Sequence, residues 1–292
     1  MSLQLLISFR NFKYKIMIMK KILLLTDFSK NATNAIRYAM QFFESEKCTF
    51  YILYVHKISG YVSDDLLMSP KDSIHDSITK KPKEKLNALI EKLKNETKTN
   101  DYQFEILIDF DVFTDAINQV VKKFSIDFVI MGSNGVSNVK EVVFGSNTIN
   151  VIEKVNCKTI VIPSNYSFSP VKQFLVSLNT EDNLNNSLLE HIIDFVKDFK
   201  LKLHILRITS ENDASHISLQ DKERIALLDS KYHLVEGVPI DHAVSSYLQT
   251  NTIDMTAFIT QDKSFLKRLF SASPGKELKS RMKLPLLVLH SH

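Results

Sequence analysis

Short apolar runs alternate with longer segments of helical periodicity along the first half of the chain. The runs predict buried strands, because each is only four to seven residues long and is closed by polar residues. The predicted strands cover residues 22–25, 49–55, 104–108, 127–131 and 159–162. Helices are predicted at residues 32–43, 84–94, 114–123 and 146–154, whereas the polar stretch 57–82 is predicted to be a mobile loop. This alternation of strands and helices predicts an α/β fold with a parallel sheet.

The second half of the chain repeats the first. Residues 174–178, followed by Asn179, match residues 22–26, followed by Asp27, at an offset of 152. Further along, the offset falls to 127, which predicts a deletion of 25 residues that removes most of the 57–82 stretch from the second half. We therefore predict two tandem doubly wound domains, at residues 19–163 and 171–292, joined by a polar linker at residues 164–170. Residues 1–18 are predicted to be an extension upstream of the true start, because the fold-like pattern begins only near Lys20.

Composition narrows the classes of protein to which the chain can belong. The net charge of +4 is spread over 292 residues without a basic cluster, so no nucleic-acid partner is expected. The two cysteines, Cys48 and Cys157, form no CxxC pair, which argues against a disulfide framework or zinc site and fits a reducing, cytoplasmic location. No apolar run reaches the roughly 20 residues that span a bilayer, and residues 3–9 lack the features of a secretory signal, so no membrane association is expected.

Glycines are concentrated at one place in the chain. There are six in all, and Gly132, Gly135 and Gly145 fall within fourteen positions directly after a predicted strand. Glycine tolerates positive φ and permits close backbone approach, so such a turn can direct its N–H groups at an anion. Gly145 and Ser146 then open a predicted helix, whose N-terminus favours phosphate. The spacing therefore favours a phosphate loop, and the alternative is that these glycines make only tight turns and a helix cap.

Other phosphate loops and catalytic arrangements are not found in the sequence. Gly275 and Lys276 are followed by Glu277 and have no partner glycine upstream, so there is no GxxxxGK[ST] loop, and no GxGxxG follows a strand. The nine histidines are scattered, and we predict neither a metal-ligand set nor a catalytic residue. No general base is placed to act on a γ-phosphate.

Taken together, these motifs resemble those of a known family. The spacing Gly132-x2-Gly135-x9-Gly145-Ser146 is similar to the ATP-binding signature of the universal stress protein family, and residues 22–29 and 157–163 resemble its first and last strands. One departure is Leu25, where the family commonly has proline. The resemblance implies that each domain is a five-stranded parallel sheet with helices on both faces. It also implies that the last strands, at residues 159–162 and 286–289, pair to form an intrachain pseudo-dimer.

The resemblance further implies a nucleotide, ATP or else AMP or ADP, bound across the strand ends of the first domain with Mg²⁺ or Mn²⁺. Asp27 is expected to contact ribose, Val55 to offer backbone polar groups to adenine, and the glycine loop to hold the phosphates. The expected nucleotide-binding residues are Thr26, Asp27, Val55, Met131, Gly132, Ser133, Asn134, Gly135, Gly145, Ser146 and Asn147.

The second half lacks this signature. Ile259, Asp262 and Ala272 stand where the first half has its three glycines, and Asn179 stands where it has Asp27. A β-branched side chain is not expected in a left-handed turn, and a carboxylate would repel phosphate. We therefore expect one nucleotide site per chain, in a stress-response or signalling protein whose second domain is a structural partner. Other protein partners, including a further homodimer, are left open, as are two alternative functions: a nucleotide-free scaffold and a slow ATPase.

Overall fold

The computed structural model describes residues 19–56, 71–96, 102–134, 144–180, 182, 184, 186–210, 214–226, 228–260 and 283–290. Ten strands within these residues form a single sheet in the order β3-β2-β1-β4-β5-β10-β9-β6-β7-β8. All neighbouring strands run parallel except β5 and β10, which are antiparallel. The strands are β1 (Lys20–Leu25), β2 (Cys48–Val55), β3 (Tyr102–Asp109), β4 (Phe128–Gly132), β5 (Thr159–Ile162), β6 (Gln173–Leu178), β7 (Lys202–Thr209), β8 (Ser230–Glu236), β9 (Met255–Thr260) and β10 (Leu286–His290).

The sheet consists of two halves with the same strand order. The order β3-β2-β1-β4-β5 of the first half recurs as β8-β7-β6-β9-β10 in the second. The halves join through β5 and β10, where Val161 pairs with Leu286 and Ile160 with Leu287. The predicted α/β fold and the predicted pairing of these two last strands are therefore confirmed.

Helices cover both faces of the sheet. The described helices are α1 (Lys30–Phe42), α2 (Lys71–Glu96), α3 (Phe113–Phe124), α4 (Ser146–Lys154), α5 (Asn186–Phe199), α6 (Ala214–Ile225) and α7 (Ile240–Thr250). Apolar side chains of α1, α2, α5 and α6 belong to one continuous core. The opposite face is covered by α3 and α4 in the first half and by α7 in the second. None of the described helices is long and apolar enough to cross a membrane.

Helix α1 forms where local sequence and packing agree. Ser29 is its N-cap, since the Ser29 hydroxyl accepts a hydrogen bond from the Ala32 N–H at 3.1 Å. Apolar residues then recur at helical spacing, and Ala35, Ile36 and Ala39 are buried against the sheet. The helix consequently begins beside the end of β1, which places its N-terminus at the carboxyl edge of the sheet.

The prediction that residues 57–82 form a loop is wrong from residue 71 onward, because α2 runs from Lys71 to Glu96 with Pro82 inside it. Proline and a high proportion of charged residues concealed this helix in the sequence. Leu86, Ile90 and Leu93 bury its apolar stripe against the core. Helix α6 occupies the corresponding place in the second half, so the predicted deletion corresponds to a shorter connection that retains a helix.

The two halves share a large aromatic contact on the face of α1 and α5. The centroid of the Phe195 ring lies 6.2 Å from that of Phe42, 6.1 Å from that of Phe128 and 5.1 Å from that of Phe174. Lys20 Nζ is 2.8 Å from Asp198 Oδ2, which adds an ion pair between the halves. The linker joins the same contact, because the Tyr166 and Phe168 rings pack against Tyr38.

Candidate functional site

A cavity of about 670 Å³ opens at the carboxyl edge of the first half of the sheet. Ligands of open α/β sheets bind at this edge, and the volume lies within the usual range of small-molecule sites. The cavity is lined by Leu25, Thr26, Asp27, Ala32, Val55, His56, Phe110, Asp111, Val112, Phe113, Met131, Gly132, Asn134, Gly145, Ser146, Asn147 and Thr148. The ends of β1, β2, β3 and β4 thus converge with the start of α4.

The turn after β1 holds Asp27 at the cavity. The Thr26 N–H donates to Leu53 O at 3.0 Å, which keeps the strand end on β2. The Thr26 hydroxyl accepts from the Phe28 N–H at 3.0 Å, and Asp27 Oδ1 accepts from the Ser29 N–H at 2.9 Å. Phe28 has a φ of 62°, a left-handed conformation that is uncommon for an aromatic residue. Two side chains and a strained backbone therefore fix the orientation of the Asp27 carboxylate.

The start of α4 forms the opposite wall. Gly145 is the N-cap, and the exposed residues Ser146 and Asn147 follow it. The Thr148 hydroxyl donates to Ser133 O at 2.9 Å and ties the helix to the end of β4. The first N–H groups of a helix have no intrahelical acceptor and carry a partial positive charge. Together these features hold the start of α4 at the cavity, and a helix N-terminus is a place where anions are favoured.

The glycines act differently from the sequence expectation. Gly132 and Gly145 do not have positive φ, and Gly145 lies at −67°. At Gly132 a side chain is disfavoured by the close approach of α1, because a Cβ there would lie 3.1 Å from Asn31 O, at the start of that helix. A Cβ at Gly145 would find only ordinary contacts, the nearest at 3.7 Å. We expected a left-handed turn at this position to exclude a β-branched residue such as Ile259. Gly132 does not adopt that conformation, so the left-handed turn does not explain why the second half would lack a phosphate loop.

The structure places most of the sequence-predicted residues together. Nine line the cavity: Thr26, Asp27, Val55, Met131, Gly132, Asn134, Gly145, Ser146 and Asn147. Ser133 is not among them, because its N–H donates to Ile162 O at 2.8 Å and its side chain is buried beside Ser164. Gly135 lies outside the described residues. The Gly145 N–H donates to Ser133 O, so it serves the internal structure of the loop.

Sequence reasoning missed the wall that follows β2 and β3. His56 and residues 110–113 line the cavity on this side. The His56 N–H donates to Asp109 O at 2.8 Å, and the His56 and Phe110 ring centroids are 5.7 Å apart. One signal was available, because the carboxyl end of β3 lies on the same edge as those of β1 and β4. His56 and residues 110–113 form no sequence motif from which a binding site could be predicted.

The equivalent edge of the second half is built differently. Its cavity measures about 350 Å³, and Asn179 and Thr180 are among its lining residues. The buried Arg207 guanidinium forms two hydrogen bonds with the Asp221 carboxylate, at 2.6 and 2.8 Å, and donates to the carbonyls of Asn179 and Asp182. Asn179 Oδ1 also accepts from the Asp182 N–H at 2.9 Å. The turn after β6 is therefore closed by internal contacts.

The remaining sequence predictions for the second half are only partly described. Ile259 is buried within β9, in register with Leu289 of β10. Asp262 and Ala272 lie outside the described residues, as do residues 1–18. Within the described ranges, no group of three or more His, Cys, Asp or Glu residues is placed to hold a metal ion. Burial raises the pKa of both the Cys48 and Cys157 thiols to about 12, so neither is a nucleophile at neutral pH.

Comparisons with known proteins agree with this architecture. Residues 19–163 match the model of the universal stress protein family. A universal stress protein of Methanocaldococcus jannaschii is 29% identical over 152 residues, which cover 49% of this chain and 94% of that protein.

Two solved structures extend the likeness to nearly the whole chain. A universal stress protein from Archaeoglobus fulgidus has a TM-score of 0.69 at 18% identity, covering 92% of this chain and 98% of that chain. A putative universal stress protein from Pseudomonas aeruginosa has a TM-score of 0.54 at 12% identity, covering 94% of each chain. At these identities the likeness concerns the fold, which extends over both halves. With the family match at residues 19–163, the chain belongs to the universal stress protein family.

Proposed function

We propose that the chain binds one ATP-type nucleotide in the cavity of its first half and acts as a nucleotide-dependent stress-response or signalling protein. The observation that carries this proposal is the pairing of an oriented carboxylate, Asp27, with the exposed start of α4 across one cavity. A carboxylate accepts hydrogen bonds from ribose hydroxyls, and a helix N-terminus favours phosphate. The proposed domains are residues 19–163 and 171–292, with residues 164–170 as the linker.

The cavity walls suggest how the nucleotide lies. Phosphates fit at Ser146 and Asn147, where backbone N–H groups and a hydroxyl are exposed. The base fits at the other end, beside Val55 and Phe110, where the wall is largely apolar. Asp27 then lies between the two, at the ribose. A divalent cation would be held chiefly by the phosphates, since the described residues offer no dedicated metal cluster.

The proposal predicts one site per chain. Calorimetric titration with ATP should give a stoichiometry of one, and nucleotide released by heating the purified protein should be identifiable by mass spectrometry. Asp27→Asn should weaken binding about tenfold or more, because a hydrogen bond to a charged group contributes roughly 1.5–3 kcal/mol. Asn179→Asp, the matched exchange in the second half, should leave both affinity and stoichiometry unchanged. Two sites per chain would contradict the proposal.

The same purified protein can be used to distinguish the proposed function from the two alternatives. A nucleotide-free scaffold would show no released nucleotide and no heat of binding. A slow ATPase would hydrolyse ATP in single-turnover reactions above a control without protein, and Asp27→Asn should reduce that rate. We favour binding without catalysis, because the described residues that line the cavity at the end of β4 and the start of α4 include no carboxylate or imidazole to act as a general base on a γ-phosphate.

A further inference from the structure

His56 occupies a place in the cavity to which the proposed function assigns no role. It follows β2 directly and lines the cavity on the side of β2 and β3, whereas α4 lies beyond β4. Its backbone is fixed by the hydrogen bond from its N–H to Asp109 O. Its ring packs against Phe110 at an interplanar angle of 63°. The two rings form an aromatic corner at the end of the cavity where a base fits.

The His56 ring is also held through its Nδ1 atom. The Tyr54 hydroxyl lies 3.3 Å from His56 Nδ1. A phenol is a better donor to an imidazole nitrogen than an imidazole is to a phenol oxygen, so this contact favours the tautomer that carries its proton on Nε2. The Tyr54 ring packs in turn on Phe28 at 4.8 Å, and Phe28 belongs to the turn that carries Asp27. Tyr54 thus connects the orientation of His56 with that of the carboxylate.

We propose that His56 is a specificity-determining residue, whose Nε2–H donates to a ring nitrogen of a bound purine base, with Tyr54 as its positioning residue. This inference rests on the proposed nucleotide site. A donor held in a fixed orientation discriminates between bases, because a base without an acceptor at that point leaves the donor unpaired. The site thereby reads the base of the nucleotide as well as its phosphates.

Calorimetric titrations of the full chain at pH 8 test this role, with ATP, 1-deaza-, 3-deaza- and 7-deaza-ATP as ligands. Each analogue lacks one ring nitrogen. In the wild type, one analogue should bind roughly three- to tenfold more weakly than ATP, as expected for loss of one hydrogen bond. His56→Ala should weaken ATP binding by a similar factor and abolish the difference between ATP and that analogue. His56→Gln, which keeps an N–H donor near the same position, should restore part of the discrimination.

Three controls make the result specific. Inorganic tripolyphosphate should bind the wild type and His56→Ala equally, because it has no base. His233→Ala removes an exposed histidine from β8 in the second half and should leave ATP binding unchanged. Tyr54→Phe removes only the hydroxyl, so it should reduce the discrimination between ATP and the sensitive analogue while the packing on Phe28 persists.

The outcomes distinguish this inference from the proposed function. If the wild type binds ATP but His56→Ala has the same affinity and the same analogue preferences, the role of His56 is refuted and the nucleotide site stands. If Tyr54→Phe leaves the discrimination intact, Tyr54 is not the positioning residue. If the wild type binds no nucleotide, the proposed function fails, and this inference fails with it.

Discussion

Gly132 and Gly145 stand at the same cavity, yet their surroundings differ. A methyl group at Gly132 would lie 3.1 Å from Asn31 O and 3.2 Å from Asn31 C, both backbone atoms, whereas at Gly145 the nearest atom would be 3.7 Å away. We expect Gly132→Ala to lower the free energy of unfolding by about 1–3 kcal/mol, because α1 must shift to relieve the overlap. It should also weaken nucleotide binding, since Ala32 of α1 lines the cavity. Gly145→Ala should stay within about 0.5 kcal/mol of wild type in urea unfolding. Equal effects of the two variants would contradict this account.

His204 provides a pH dependence in the second half. It is buried in β7, where Nδ1 lies 2.8 Å from the Tyr247 hydroxyl and Nε2 lies 2.7 Å from Gln173 Oε1. Burial, reinforced by the positive charge of Lys231, lowers the pKa of His204 in the folded chain. The unfolded chain therefore binds its proton first, and stability should fall as the pH drops below about 6.5, the ordinary pKa of histidine. Urea unfolding between pH 7.5 and 5.5 should show this fall. His204→Gln should flatten it, and an unchanged slope in that variant would count against the assignment.

The candidate site was predictable where a residue lies at the end of a strand. Thr26 and Asp27 follow β1 and Gly132 ends β4, so all three lie at the sheet edge where ligands of this kind of fold bind. His56 and Phe110 were missed because their contribution depends on ring contacts across β2 and β3, which leave no periodic or spaced signal. Ser133 was assigned to the site only because it is adjacent to Gly132 in the sequence. In the structure its N–H donates to Ile162 O and its hydroxyl lies beside that of Ser164.

At the scale of elements, a buried hydroxyl ties α4 to the end of β4, in addition to the hydrogen bond from the Gly145 N–H to Ser133 O. Thr148 Oγ1 donates to Ser133 O at 2.9 Å and lies 3.3 Å from Gly132 O. Thr148→Val keeps the shape and removes the donor, so we expect a loss of about 1 kcal/mol in stability and weaker nucleotide binding as the start of α4 moves. Thr148→Ser should recover both. Thr250→Val removes an exposed hydroxyl that bonds within α7, and should change neither. Unaltered ATP affinity in Thr148→Val would show that α4 is held by other contacts.

Strands were easier to predict than helices in this chain. β1, β4 and β5 are buried on both sides of a parallel sheet, so they appear as continuous apolar runs. Helix α2 combines an internal proline with a short apolar stripe, because Leu86, Ile90 and Leu93, which belong to the core, all lie after Pro82. The short stripe and the proline explain why only the part of this helix after Pro82 was predicted from the sequence.

For the whole molecule, the shared core has a consequence for ligand-linked stability. Phe195 contacts both halves through Phe42, Phe128 and Phe174, so the two halves should unfold as one unit. A nucleotide bound only in the first half would then stabilise the second as well, by about 2.7 kcal/mol at a ligand concentration one hundred times Kd. Hydrogen exchange of the β7 amides should slow accordingly when ATP is added.

Phe195→Ala tests whether the aromatic contact carries this coupling. The variant should lose about 3–5 kcal/mol of stability, and ATP should then protect β7 less than in the wild type, because a cavity separates the two halves. Phe50→Ala is the matched control, since Phe50 is equally buried but its ring packs on Tyr102 and Phe104 within the first half. It should destabilise the chain to a similar degree while β7 still gains protection from bound ATP. If ATP leaves the exchange of β7 unchanged in the wild type although it binds, the halves are energetically independent, and their continuous sheet transmits no stability between them.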